Sequence, residues 1–266
     1  MIKSGKVKRE VRLLTAGIDI GTENTKVVIV KDDKEIIARG SAVTGFDQKA
    51  SAEEAISKAL KQAGLSLTAI NSFTATGAGR KVAPYATRKT TEIAASAKGV
   101  TFLLPSVRTV INLGSEGGRA IKCNAKGAVK DFTINEKCAA GAGTFVKAMA
   151  RALEVSLEEF ARMSLNSTKS ISMNAQCVIF AESEVVSLIH AKTPREDVAR
   201  AVFDSIADRI ASMVRRVGIE KDIALIGGMA KSAGFAESLK RGLGMDLLIP
   251  EAPEYVTALG AALIHA

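Results

Sequence analysis

Short apolar runs separated by polar turns fill the N-terminal part of the chain. From Ala16 the apolar runs are AGIDIG, KVVIV and EIIARGSA, with TENT and residues 31–34 between them. Runs of this length bounded by turn residues predict three strands in an antiparallel meander. After Ser51 the apolar positions follow a helical spacing that stops at Gly64. This spacing predicts a helix that ends in a glycine C-terminal cap.

The same pattern returns about 93 residues later. There VRTVINLG, SEGG, RAIKCN and AVKDFTIN again alternate apolar runs with a polar turn, and a helical pattern follows. A repeat of a complete strand–turn–strand–strand–helix unit is hard to obtain by chance. We therefore predict two related lobes, residues 1–103 and 104–253, and we expect the C-terminal helix, 254–266, to complete the first lobe.

Helical spacing dominates the second half of the chain. It predicts four helices, over 144–153, 156–163, 178–190 and 195–217. The run DIALI predicts a buried strand that ends at Gly227 and Gly228, and the small residues of TALGAALIHA predict a closely packed final helix. Strands mixed with helices in two lobes predict an α/β fold with a cleft between the lobes, where nucleotides commonly bind.

The charge and aromatic content limit the partners that the chain can bind. Its 37 basic and 28 acidic residues give a formal net charge of +9, which favours anionic partners. The chain has no Trp and only two Tyr, so it lacks the aromatic side chains on which single-stranded nucleic acid stacks. We therefore expect no nucleic-acid partner. Charged residues interrupt every apolar stretch before it reaches membrane-spanning length, so we expect no membrane partner either.

The three cysteines, Cys123, Cys138 and Cys177, bear on the compartment. An odd number fits a reducing compartment better than a disulfide framework. The basic N-terminal segment lacks the following apolar run that a signal peptide needs. We therefore expect a cytoplasmic protein. Cys123 falls in a predicted strand and is expected to be structural.

A turn of small and polar residues follows the first predicted strand. In Gly17-Ile18-Asp19-Ile20-Gly21-Thr22 an acid stands at the end of that strand. Gly21 would let backbone amides approach a phosphate, Thr22 can donate its hydroxyl, and Asp19 can hold Mg²⁺ or its water. An ordinary hairpin turn explains this short motif equally well.

The repeat carries a second copy of the motif at Asn112-Leu113-Gly114-Ser115. One such loop from each lobe can grip a triphosphate from two sides. Gly227 and Gly228, after the run DIALI, are suited to backbone contact with an adenosine. A strand-to-helix turn without a ligand is the alternative interpretation of this glycine pair.

Cys138 and Cys177 each precede a predicted helix. The free amides and the positive dipole end of a helix N-terminus lower the pKa of a thiol and can hydrogen-bond cluster sulfides. Two thiols in one chain are too few for a four-thiolate cluster, so a cluster would need a second chain related by two-fold symmetry. Without any resemblance to a family, buried, unreactive cysteines explain these residues better than a cluster does, and both interpretations stay open at this point.

These motifs, in this order, resemble the ATPases that activate 2-hydroxyacyl-CoA dehydratases and the related ATP-binding subunits of benzoyl-CoA reductase. The resemblance runs from Ala16 through GIDIGT, ATGAGR, DFTINEKCAAGAGTF, NAQCVIFAESEVVSLI and IGGMAKSAGF to ALGAAL. The two cysteine segments are its specific part, since GIDIGT and IGG are shared by many proteins of the fold. It implies the α/β, ribonuclease H-like fold of actin, sugar kinases and heat-shock ATPases.

The resemblance also implies cofactors, partners and site residues. It implies ATP, Mg²⁺ and one [4Fe–4S] cluster shared across a dimer, with Cys138 and Cys177 as the ligands. The expected nucleotide-binding residues are Gly21, Thr22, Asn112, Gly114, Ser115, Gly227, Gly228 and Lys231. The expected partners are an identical or homologous ATPase subunit, ferredoxin as electron donor, and a CoA-thioester reductase or dehydratase that receives low-potential electrons.

One departure from the family pattern lies in the second loop. Activators usually read Asp-Ile-Gly-Gly-Gln-Asp-Ser-Lys there, whereas this chain reads Asn112-Leu-Gly-Ser-Glu-Gly-Gly-Arg119. Because Asn112 cannot act as a carboxylate, Asp19 and a compensating Glu116 are the candidate catalytic residues; slow hydrolysis beside a more active homologous subunit is the alternative. The Gly-Arg-Ala-Ile ending of this loop is more similar to a benzoyl-CoA reductase subunit than to a stand-alone activator.

Two other function classes use the same fold. A sugar or small-molecule kinase needs an acid near the γ-phosphate as its base, and Asp19 is the one candidate that we identify. A non-catalytic, actin-like partner subunit would explain Asn112. Phosphorylation of sugars would favour the first class, and filaments or partner binding without any metal would favour the second.

Overall fold

The structure, a computed structural model, describes residues 13–135, 143–173 and 178–264. The strands are β1 (Leu14–Ile20), β2 (Asn24–Lys31), β3 (Glu35–Val43), β4 (Ser72–Thr76), β5 (Arg88–Lys89), β6 (Thr109–Leu113), β7 (Gly118–Cys123), β8 (Val129–Asn135) and β9 (Ile223–Ile226). The helices are α1 (Gln48–Ala63), α2 (Glu92–Leu103), α3 (Gly143–Ala152), α4 (Leu157–Leu165), α5 (Val178–His190), α6 (Arg195–Val217), α7 (Ala233–Leu243) and α8 (Val256–Ala262). The strands form two sheets that the helices cover.

The two sheets repeat one topology. The first has the order β3-β2-β1-β4-β5 and the second the order β8-β7-β6-β9. In each sheet three consecutive strands form an antiparallel meander, and a later strand, β4 or β9, pairs in parallel with the first strand of the meander. The predicted meander and its repeat are therefore confirmed, whereas the residue boundaries of the lobes stay a prediction.

The helices begin and end close to their predicted positions. Asp47 caps α1 by accepting a hydrogen bond from the amide of Ala50 at 3.0 Å, and Gly64 ends this helix in the left-handed conformation, as predicted. Ser156 does not start α4 but caps it, because its hydroxyl accepts from the amide of Glu159. The predicted bounds of α5 and α6 agree with the structure.

Helices α2 and α8 join the two sheets. Residues of α2 share a buried apolar cluster with the second sheet, and residues of α8 share another with β2 of the first sheet. The two helices cross closely at glycines: a Cβ atom on Gly260 would lie 1.7 Å from the carbonyl oxygen of Ala95, and one on Gly99 would lie 2.1 Å from that of Val256. The small residues of the final helix therefore allow the close packing that the sequence predicted.

The largest apolar cluster lies between the second sheet and its helices α3, α4, α6 and α7. Three aromatic rings mark its centre: Phe160 meets Phe203 edge to face at 5.2 Å, and Phe203 lies 6.2 Å from Phe235. All three side chains are fully buried. Burial on this scale, roughly 2 kcal/mol for each large apolar side chain, holds α4, α6 and α7 together against the second sheet.

Cys123, at the end of β7, is buried, as expected of a structural residue. Among the helices in the part of the chain that the structure describes, none is both long and apolar enough to cross a membrane.

Candidate nucleotide site

The first phosphate loop, residues 21–23, and the second, residues 114–117, are named for their predicted role. The first connects β1 to β2. The amide of Gly21 donates to the carbonyl oxygen of Asn24 at 3.2 Å, which closes the hairpin turn and leaves the Thr22 side chain exposed. A Cβ atom on Gly21 would lie 2.9 Å from the Asn24 carbonyl oxygen, so the turn has little room for a larger residue. The loop thus exposes the Thr22 hydroxyl, while the Gly21 amide is bonded within the turn.

Asp19 is a buried carboxylate just before this loop. Its side chain is 9% exposed, and its strand partners are Lys26 on β2 and Thr76 on β4. Burial raises the pKa of Asp19, while the charges of Lys26 and Arg119 act against this rise. A carboxylate held away from water in this way gains from a cation placed beside it.

The second phosphate loop, residues 114–117, connects β6 to β7. Gly114 donates its amide to the carbonyl oxygen of Gly117 at 3.0 Å, and Glu116 is exposed at the tip. Asn112 stands where Asp19 stands in the first lobe. Its side-chain amide donates to the hydroxyls of Ser96 at 3.0 Å and Thr257 at 3.3 Å, so it binds both α2 and α8.

The two phosphate loops meet. The hydroxyl oxygens of Thr22 and Ser115 lie 2.7 Å apart and share a hydrogen bond. The structure therefore brings Gly21, Thr22, Gly114 and Ser115 to one place between the two sheets, from opposite sides. This arrangement suits a chain of phosphate groups, each of which accepts hydrogen bonds from hydroxyls and amides.

Gly77, which was not predicted from the sequence, lies beside Ile20 and Asp19 at the end of β1. Gly77 follows β4 with φ +90°, and Gly227 follows β9 with φ +88°. A Cβ atom on Gly77 would lie 2.7 Å from Oδ1 of Asp19, and one on Gly227 would lie 2.6 Å from Oδ1 of Asn112. The two glycines are topologically equivalent, because each follows the strand that pairs in parallel with the first strand of its meander. A comparison of ATGAGR with IGGMAK, both recognised in the sequence, would have found the pair.

The predicted adenosine site lies beyond β9. Gly228 and Lys231 begin and end a 3₁₀ turn, and the amide of Gly227 donates to the carbonyl oxygen of Pro253 at 3.0 Å. The Lys231 ammonium pairs with Oε1 of Glu254 at 3.1 Å. The other carboxylate oxygen of Glu254 is buried and has no hydrogen-bond partner among the described residues. Glu254 was not predicted from the sequence, since a lone acid before a helix gives no signal.

The start of α3 is tied to the second phosphate loop. The amide of Gly143 donates to the carbonyl oxygen of Gly114 at 3.0 Å, and that of Thr144 donates to the carbonyl oxygen of Ser115 at 2.9 Å. The Thr144 hydroxyl donates to the same Ser115 oxygen. Movement of the loop therefore moves this helix end directly.

A family model decides what kind of protein this site belongs to. The model, described as the BadF/BadG/BcrA/BcrD ATPase family, matches residues 16–265. The chain belongs to this ATPase family. The predicted family and the predicted actin-like α/β fold are thereby confirmed, and this ATPase shares its fold with sugar kinases of low sequence identity.

Individual relatives agree with this assignment. The ATPase is 38% identical to the "Activator of lactoyl-CoA dehydratase" of Anaerotignum propionicum, over 94% of this chain and 96% of the relative. It is 29% identical to a benzoyl-CoA reductase subunit of Thauera aromatica, over 94% of this chain and 92% of the relative. The solved structure "Activator of the 2-Hydroxyisocaproyl-CoA Dehydratase from Clostridium difficile with bound ADPNP" is 32% identical, covers 94% of this chain and 93% of its own, and has a TM-score of 0.89.

The two predicted cluster ligands of this ATPase, Cys138 and Cys177, lie outside the described residues. The described helices α3 and α5 begin at Gly143 and Val178, directly after the two cysteine segments, and pack against each other. Within the described ranges, no group of three or more His, Cys, Asp or Glu side chains could hold a metal ion.

Proposed function

We propose that this ATPase binds MgATP between its two phosphate loops and uses it to deliver low-potential electrons to a partner enzyme that acts on a CoA thioester. The observation that carries the proposal is the direct bonding of Gly114 and Ser115 to Gly143 and Thr144. A nucleotide that moves the second loop must move α3, the helix that follows the Cys138 segment. ATP binding can therefore favour one arrangement of that helix over another.

The proposed roles follow the two lobes. Asp19 holds Mg²⁺ or its water, because a buried carboxylate is a strong ligand for this hard cation. Glu116, exposed on the second loop, orients the attacking water in place of the carboxylate that Asn112 cannot supply. The proposed contacts of the phosphates and the adenosine are Gly21, Thr22, Asn112, Gly114, Ser115, Gly227, Gly228 and Lys231.

The thiols of the chain fit a shared cluster. The described cysteine, Cys123, is buried among apolar side chains, and this burial raises its pKa, so it is unsuited to act as a thiolate ligand. Cys138 and Cys177 are left, and two chains together supply the four thiolates that a [4Fe–4S] cluster takes. When bound, such a cluster supplies a one-electron carrier. The second chain is an identical or homologous subunit, and ferredoxin is the proposed donor.

The relatives favour a CoA-thioester dehydratase over a reductase as the partner. Identity to the lactoyl-CoA dehydratase activator exceeds identity to the benzoyl-CoA reductase subunit, 38% against 29%. We therefore favour a 2-hydroxyacyl-CoA dehydratase as the electron acceptor, although the second-loop sequence is more similar to the reductase subunits. The CoA substrate is then bound by the partner.

The experiment compares wild type with Asp19→Ala under strictly anaerobic conditions, with reduced ferredoxin as donor and a 2-hydroxyacyl-CoA dehydratase as acceptor. We expect MgATP-dependent electron transfer in wild type and its loss in the variant, with the iron content unchanged. Glu54→Ala, which removes an exposed carboxylate of α1, is the control and should behave as wild type. Electron transfer by Asp19→Ala at the wild-type rate would remove Asp19 from the mechanism, and transfer by wild type without ATP would overturn the proposal.

A further inference from the structure

An ion pair joins the two halves of the chain beside the two phosphate loops. The ammonium of Lys147, on α3, lies 2.5 Å from Oε1 of Glu23, in the first phosphate loop. The partners are 124 residues apart in sequence and belong to opposite lobes. Their side chains are 43% and 33% exposed, so water and solute ions reach the pair.

Both partners are adjacent to the residues where the loops meet. Glu23 follows Thr22, whose hydroxyl contacts Ser115. Lys147 lies three positions after Thr144 and thus on the same side of α3, and Thr144 binds the carbonyl oxygen of Ser115. The charged pair therefore stands next to the hydroxyls that are proposed to hold the phosphates.

A terminal phosphate at this place would act on the two charges in opposite directions. It would repel the Glu23 carboxylate and attract the Lys147 ammonium, because like charges repel and opposite charges attract. A terminal phosphate carries about two negative charges, against one on the Glu23 carboxylate, so it attracts the Lys147 ammonium more strongly. ADP lacks the terminal phosphate, so Lys147 stays paired with Glu23 when ADP is bound.

We propose that Lys147 exchanges Glu23 for the terminal phosphate when ATP binds, and that this exchange makes Lys147 the residue that distinguishes ATP from ADP. The proposal rests on the proposed function, since it requires the nucleotide to lie between the two loops. Because Lys147 is part of α3, the exchange also gives the triphosphate a second attachment to this helix, besides the bonds of Gly143 and Thr144.

The test measures the dissociation constants of ADPNP and ADP, both with Mg²⁺, for wild type, Lys147→Met and Glu23→Gln. Lys147→Met should weaken ADPNP binding about tenfold and change ADP binding less than about twofold. Glu23→Gln frees the ammonium and should tighten ADPNP binding about threefold, again with ADP unchanged. Lys58→Met breaks an exposed ion pair of 2.6 Å on α1 and should leave both constants unchanged.

The opposite effects of the two variants on ADPNP binding distinguish this proposal from an ion pair that only holds the lobes together. Such a structural ion pair predicts that both variants shift nucleotide binding in the same direction, or that they shift ADP and ADPNP binding equally. Either result would overturn the proposal. Lys147→Arg keeps the charge and should keep most of the ADPNP preference, which guards against misfolding of the Met variant. Wild type that binds neither nucleotide would refute the proposed function itself, which is a distinguishable failure.

Discussion

The hydroxyl oxygens of Thr22 and Ser115 lie 2.7 Å apart, although 93 residues separate them in the chain. This separation equals the spacing of the internal repeat, so each hydroxyl has the same position in its own lobe. The contact thus joins equivalent points of two related halves. Phosphate groups bound between the loops, as we propose, would replace the one hydrogen bond that these hydroxyls share.

The first prediction concerns the shared hydroxyl contact. Thr22→Val keeps the shape of the side chain but removes its hydroxyl, so we expect ADPNP affinity to fall about tenfold. The free energy of unfolding should change by less than about 1 kcal/mol, since the Thr22 side chain is exposed. Isothermal titration and urea unfolding measure the two quantities.

Thr68→Val is the matched control, because Thr68 also shares an exposed hydroxyl–hydroxyl bond, with Ser66 at 2.9 Å, outside the site. It should leave ADPNP affinity unchanged. Equal effects of Thr22→Val and Thr68→Val on nucleotide binding would show that the loop contact plays no part in holding phosphate.

The second prediction concerns the pH dependence that Asp19 causes. Burial raises the pKa of Asp19 above its value in the unfolded chain, so its contribution to stability is present below the unfolded pKa and is lost as pH rises through the folded pKa. Asp19→Asn should therefore be more stable than wild type near neutral pH, and this gain should shrink as the solution is made acidic. Mg²⁺-dependent ATP hydrolysis should fall about 100-fold or more.

Asp246→Asn should change the pH dependence of stability in the opposite direction. The Lys240 ammonium lowers the pKa of the exposed Asp246, so what this carboxylate contributes is present at neutral pH and lost as pH falls through its folded pKa. Thermal unfolding between pH 4 and 8 compares the variants. A neutral-pH loss of stability in Asp19→Asn would contradict the argument from burial.

The third prediction concerns the backbone at Gly77. Gly77→Ala should lower the free energy of unfolding by more than about 3 kcal/mol, because it adds a clash with Ile20 and Asp19 to the cost of a positive φ. Gly64→Ala bears the cost of its positive φ alone, since nothing lies within 4 Å of its Cβ position, and should lose about 1 kcal/mol. Chemical denaturation measures both, and similar losses would refute the close approach at Gly77.

The fourth prediction concerns Glu254 and the adenosine. The buried Oε2 of Glu254, which has no hydrogen-bond partner in the part of the chain that the structure describes, can accept a hydrogen bond from a ribose hydroxyl. Glu254→Gln should therefore weaken ATP and ADP by the same factor, about threefold to tenfold. Glu251→Gln, at an exposed neighbour, should change neither. An effect on ATP alone would place Glu254 near the phosphates instead.

Much of the fold could be predicted because its signals are local. The meander follows from the runs that became β1, β2 and β3, and the bounds of α5 and α6 follow from helical spacing. Strand β5 could not be predicted, because it consists of Arg88 and Lys89 only, and two exposed charged residues give no strand pattern.

Within the candidate site, the sequence indicates contacts only where a motif repeats. Thr22 and Ser115 were found together because the repeat aligns them. The bond from Asn112 to Thr257 spans 145 residues and the pair of Glu23 with Lys147 spans 124, and no periodicity links such positions. Contacts of this kind depend on how the lobes pack, which a single sequence does not display.

The most direct test of the account is the iron and acid-labile sulfide content per chain after strictly anaerobic purification and reconstitution. Wild type and Cys123→Ala, which alters only the buried thiol, should contain about two irons per chain, as one four-iron cluster per dimer requires. Cys138→Ala and Cys177→Ala should each lose the iron. Wild type without iron, or iron retained in both of these variants, would contradict the proposal that this ATPase carries a shared cluster.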